Sequence, residues 1–178
     1  MPLFISLLPL IVLLVLASII DARRRIIPNW LNLVLLIGGL FQAIAYGTPV
    51  SISQALLGVL CGFGIVFIPY CLGAMGGGDL KMLAGIGAWL GPLATLQVYL
   101  VAAVAGMIIV IVQCFFTGRL TQLVKNSTLI IANFANYSQV GKAQVMATGQ
   151  SMKSVDKPLP YAVPTLLGVV VTLAMNLI

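Results

Sequence analysis

The chain contains no histidine and no glutamate, and only three of its 178 residues are acidic. Charged residues make up 7% of it, against 61% hydrophobic. The three cysteines, Cys61, Cys71 and Cys114, lie in apolar segments and form no CxxC pair. That spacing excludes a zinc ribbon or a thioredoxin-like motif. Without histidine, a zinc-peptidase site also lacks its usual ligands, so no metal and no cofactor is expected. The cysteines read as buried structural thiols. The nine Lys/Arg are scattered rather than gathered on one face, which argues against nucleic acid as a partner. The N-terminal stretch has no basic residues ahead of its apolar run, and Arg23, Arg24 and Arg25 follow it. This order reads as a retained first span with its N-terminus outside the cytoplasm, not as a cleaved signal.

What the sequence does have is apolar length. A span needs roughly 20 apolar residues, and the chain offers several such runs. Leu3 to Ile20, Trp30 to Tyr46 and Ile52 to Ala74 are the first three, with a kink or early end expected near Pro69. Met82 to Gly118 runs for 37 residues without a charge. As one helix it would be about 55 Å long, too long for a bilayer about 30 Å thick. It should fold back at Gly91-Pro92, giving a fourth span from about Leu80 to Thr95 and a fifth from about Val98 to Phe116. Leu159 to Leu177 is the sixth. The fold expected is therefore all-α: a polytopic helix bundle of about six transmembrane helices, forming one membrane domain over residues 1–178. Residues 119–158 form a basic loop between spans five and six, with helical spacing of its apolar residues suggesting an extension of the fifth helix or an amphipathic surface helix.

Charge sets the topology. Six crossings put Arg23 to Arg25, Lys81 and the basic loop on one side, which collects every Lys/Arg there. By the positive-inside rule that side is the cytoplasm, and both termini lie opposite. Asp21 follows one crossing and Asp79 follows three, so both fall at the cytoplasmic end of the bundle.

An aspartate at a bilayer centre costs about 2.5 to 3.5 kcal/mol. Asp21 and Asp79 stand beside long uncharged runs, which favours a working pair. Two carboxylates held together share a proton and split their titrations. One can then activate water while the other, protonated, polarises a carbonyl. Gly76, Gly77 and Gly78 would let the backbone approach a substrate and adopt positive φ, with an extended peptide pairing along them. Asp79 is placed to open the fourth helix, where backbone N–H groups could orient it. Plainer readings stand beside these. Asp21 could pair with Arg23 to Arg25, Gly76 to Gly78 could form only a tight turn, and Asp79 could be an N-cap. Lys81 could be a snorkelling topology signal, Pro28-Asn29 the start of a helix with Pro at its first position, and Asp156 a solvated loop charge.

At these residues the sequence resembles the type IV prepilin peptidases, members of the GxGD group of intramembrane aspartyl peptidases. Three segments carry the likeness: Asp21 followed at fixed spacing by Ile27-Pro28-Asn29, Gly76-Gly77-Gly78-Asp79 with Lys81 and the small-residue helix after it, and Leu159-Pro160-Tyr161 with Pro164 and Gly168. The resemblance implies Asp21 and Asp79 as the catalytic aspartates of a bacterial inner-membrane enzyme. Its substrate would be a prepilin or pseudopilin, cut at the cytoplasmic face after a Gly that precedes a hydrophobic helix. Gly76 to Gly78, Pro28, Asn29 and Lys81 would support the substrate or the dyad. Without paired CxxC motifs or an N-terminal cytoplasmic domain, the compact form looks like the short enzymes serving Flp/Tad-type pili, which leaves N-methylation unsupported. Pro164 would bend the last helix near the site. The alternative from another class is a small ion- or proton-coupled transporter with intramembrane aspartates. Such a transporter should show repeats or paired broken helices, and no repeat is evident.

Overall fold

The structure, a computed structural model, describes residues 2–44, 50–71, 75–118 and 160–177, with single positions 121, 124, 125 and 128. Among these residues every regular element is a helix: α1 (Pro2–Arg24), α2 (Asn29–Ile44), α3 (Ile52–Cys71), α4 (Gly77–Phe116) and α5 (Ala162–Leu177). Apart from those four positions, the expected loop over residues 119–158 falls outside the described residues, as do the ends of the second and third spans at Tyr46 and Ala74.

α4 is one continuous helix only in outline. Gly91 sits at φ 77°, ψ 177°, a backbone state open to glycine, and Pro92 follows it. The first limb leaves the Asp79 end. Past the break, Val98 and Ala102 lie against Gly168 of α5, whereas Leu173 shares a cavity with Gly91, Pro92 and Gln97. α5 begins at Ala162 beside Asp21, so this order brings the second limb back toward the Asp21 end. The reversal lies at Gly91, and the second limb starts at Pro92 rather than near Val98. The first limb starts at Gly77, three residues before Leu80, because the Asp79 side chain caps the opening turn.

The first limb is the centre of the bundle. Leu80, Met82 to Trp89 and Gly91 are all buried. Small residues let its neighbours close on it. A Cβ on Gly58 would run into the Gly87 carbonyl, and one on Gly62 into the Leu83 carbonyl, so α3 meets α4 backbone to backbone. This Gly-x-x-x-Gly spacing suits close packing where lipid offers no hydrophobic drive. On the other side, Trp89 Nε1 donates to the Leu35 carbonyl at 2.7 Å and ties α2 to the limb. α3 runs through Pro69 to Cys71 without ending early. Pro164 falls at the third residue of α5, where no intrahelical N–H is needed, so it opens the helix rather than bending it midway. Cys71 is exposed and Cys114 buried; only the latter matches the expectation of a buried thiol.

Apolar residues fill the core and also cover much of the outer surface. Ser18, Asp21, Asn32, Gln42, Thr95, Thr165 and Thr172 are buried, while Ile37, Phe41, Leu60, Leu100 and Ile108 are exposed. A large exposed apolar surface marks a face meant for another apolar phase. α3 and α4 are long and apolar enough to cross a membrane; α2 and Ala162–Met175 are shorter apolar helices.

Candidate active site

The inward face of α1 is written at helical spacing. Leu7, Leu10, Leu14 and Ala17 are buried, and the same three-four stride reaches Asp21. The carboxylate is thereby carried inward, 6% exposed, while Arg23 to Arg25 stay exposed. Asp21 Oδ2 accepts the Ala162 backbone N–H at 3.1 Å. Ser18, one turn earlier, donates Oγ–H toward the Ala162 carbonyl at 3.0 Å and also lies 2.8 Å from the Leu14 carbonyl. The start of α5 is thus clasped from both sides by the last turns of α1.

α1 then stops at Arg25, whose φ is 56°. Its N–H donates to the Asp21 carbonyl at 2.8 Å, the left-handed closure that usually falls to glycine. The chain turns through Ile26 and Ile27, and Pro28 stands just before α2, its carbonyl accepting from Leu31 and Asn32. Proline is therefore the residue ahead of the helix, not its first.

Asp79 is the third residue of α4. Its Oδ2 accepts the Gly76 N–H at 3.2 Å, and the Gly76 carbonyl accepts from Leu80. Gly76 is extended, at φ −80° and ψ 153°, and the positive-φ glycines among the described residues are Gly91 and Gly118. The expectation of positive φ in the triple glycine is corrected: Gly77 and Gly78 are the first helical residues. What the structure asks of Gly78 is space, since a Cβ there would stand 3.3 Å from Ile27 Cβ. Asn32 Nδ2 donates to the Gly78 carbonyl at 3.3 Å, and Lys81 Nζ donates to Asn29 Oδ1 at 2.9 Å. These two bonds dock the start of α2 on the start of α4.

Asp21, Pro28, Asn29, Gly76, Gly77, Gly78, Asp79 and Lys81 all line one cavity of about 700 Å³. All eight residues singled out from sequence therefore meet at one end of the bundle. Arg25 lies at the same wall. Sequence reasoning placed Tyr161 in the third motif without giving it a site role, although it completes the lining, and did not single out Ser18 and Asn32, which hold the walls. Pro160-Tyr161, just ahead of the last apolar run and on the same side by topology, was the available signal.

An apolar all-helical bundle with two aspartates in one end cavity is the class defined so far. The chain matches the model of the type IV leader peptidase family over residues 8–111, and it belongs to that peptidase family. The match includes both aspartates and stops before α5. A prepilin leader peptidase/N-methyltransferase of Pectobacterium carotovorum is 37% identical over 106 residues, covering 56% of this chain and 38% of that protein. One from Klebsiella pneumoniae is 36% identical, covering 58% and 48%. One from Escherichia coli K12 is 30% identical, covering 70% and 54%. The chain thus spans about a third to a half of the length of these relatives. No solved structure matches it.

Proposed function

We propose that the chain is a membrane-embedded aspartyl endopeptidase that removes the leader of type IV prepilins, of the Flp type, at the cytoplasmic face. The observation that carries this is the meeting of Asp21 and Asp79, from two different helices, in one cavity. Each has one carboxylate oxygen on a backbone N–H, which fixes its orientation. Relatives named prepilin leader peptidase/N-methyltransferase supply the substrate class. The Flp assignment comes from the likeness of the sequence motifs, and methyl transfer stands outside this reading.

The mechanism follows from one proton shared by two carboxylates. The ionised aspartate takes a proton from water as its oxygen bonds to the scissile carbonyl carbon. The protonated aspartate gives its proton to the carbonyl oxygen. In the second step the aspartate that took the water proton gives it to the amide nitrogen, the C–N bond breaks, the other aspartate takes the proton of one diol hydroxyl, and a carboxylic acid and an amine leave. The dyad then again holds one proton.

Six helical segments, counting α4 as two limbs, cross the bilayer in this reading. Arg23 to Arg25 and Lys81 stand at the cavity end, whereas the opposite cavity, lined by Val50, Gln54, Leu90 and Leu173, includes no charged residue. That asymmetry supports a cytoplasmic site.

The test is cleavage of an Flp-type prepilin by the purified chain in detergent, with products mapped by mass spectrometry. A cut after the leader Gly, without any ion gradient, is the expected result. An Asp79→Asn variant that cuts equally well would defeat the reading.

A further inference from the structure

We propose that Tyr161 is a third catalytic residue, whose phenol O–H donates a hydrogen bond to the scissile carbonyl oxygen as it becomes tetrahedral. The inference rests on the peptidase reading above and names a group that the two-aspartate scheme does not use.

Tyr161 stands in the turn before α5 and lines the same cavity as both aspartates. Its hydroxyl oxygen is shielded from solvent and has no hydrogen-bond partner among the described residues. Buried polar groups in native proteins are nearly always paired, and an unpaired one calls for an explanation. A substrate oxygen entering the cavity that Tyr161 lines with both aspartates is the explanation its position offers. The residue is also held firmly. Its carbonyl accepts from Thr165 N–H at 3.2 Å and from Thr165 Oγ1 at 2.8 Å. The next N–H along the chain, that of Ala162, is the one bound by Asp21. The backbone of Tyr161 is thus fixed to the frame that holds Asp21.

The chemistry leaves room for it. In the attack step one aspartate is occupied with the water proton, and the other offers one O–H to the carbonyl oxygen. That oxygen gains charge and can accept a second donor. Preorganised donors aimed at such an oxygen account for 10²- to 10³-fold in rate in other acyl-transfer sites. A phenol keeps its proton at neutral pH, so it donates a hydrogen bond without entering the proton balance.

The experiment uses the full chain in detergent, comparing wild type, Tyr161→Phe and Asp79→Asn. Two readouts are taken: kcat and KM on a prepilin, and affinity for two matched peptides. One peptide carries a statine-type tetrahedral hydroxyl, and the other a methylene in its place. Tyr161→Phe should lower kcat by about 10- to 100-fold with KM within about twofold, as expected for a donor used in the transition state. It should also erase most of the preference for the hydroxyl peptide. Wild-type kcat in the Phe variant would overturn the assignment of Tyr161 and leave the dyad standing. A lower kcat with the hydroxyl preference intact would overturn it too, and would mark Tyr161 as acting through Asp21. If wild type cuts no better than Asp79→Asn, the peptidase reading fails and the role of Tyr161 falls with it.

Discussion

The Ala162 backbone N–H donates to Asp21 Oδ2 at 3.1 Å across 141 positions of sequence. The Ser18 hydroxyl holds the carbonyl of the same residue. The orientation of Asp21 is therefore set by the start of the last helix.

Ser18→Ala removes one half of that clasp. A net loss of about 1 kcal/mol is expected for a hydrogen bond of this kind, seen as a lower midpoint in denaturant titration of the micellar protein. Cleavage should fall several-fold, since Ala162 then moves relative to Asp21. Full activity with an unchanged midpoint would show that the clasp is idle.

The α3–α4 contact makes a sharper stability prediction. Gly58→Val places side-chain carbon where the Gly87 carbonyl already stands, and overpacking of this sort costs about 1 to 3 kcal/mol or more. Gly64→Ala meets nothing within 4 Å and should change the unfolding midpoint little. The two variants measured side by side separate packing from glycine content.

Lys81 and Asn29 share a 2.9 Å hydrogen bond at the edge of the cavity. Lys81→Met and Asn29→Ala should each slow cleavage, and the double variant should be no worse than the more severe single. A double-mutant cycle then gives a coupling of about 0.5 kcal/mol or more. Strictly additive effects would show that the pair does not work together.

Arg25 sits at φ 56°, which costs a side-chain-bearing residue roughly 1 to 2 kcal/mol. Arg25→Val should lower stability further, because β-branching makes that backbone worse. Arg25→Gly should match or exceed the native residue in thermal denaturation.

Much of the site was legible in sequence because two short motifs carry it. Asp21 with Pro28-Asn29, and Gly76 to Asp79 with Lys81, are local patterns, and parity of crossings put them at one end. The reversal at Gly91 was legible because no single helix of that length fits a bilayer. The start of α4 was misplaced at Leu80 because glycine is a poor helix former. Its first turn is settled by the Asp79 cap on Gly76, a side-chain contact that propensity does not see. The clasp between Ala162, Asp21 and Ser18 joins segments over 140 residues apart, and no local spacing announces it. Tyr161, though part of the third motif, was given no site role for that reason.

The central claim is that Asp21 and Asp79 act as one unit. The measurement that tests it most directly is prepilin cleavage by Asp21→Asn, Asp79→Asn and the double variant, each confirmed folded in detergent. The expected result is that either single change lowers kcat by at least about 10³-fold, and that the double variant is no slower, as for groups that share one task. A single variant that keeps near-normal cleavage, or losses that multiply in the double, would contradict it.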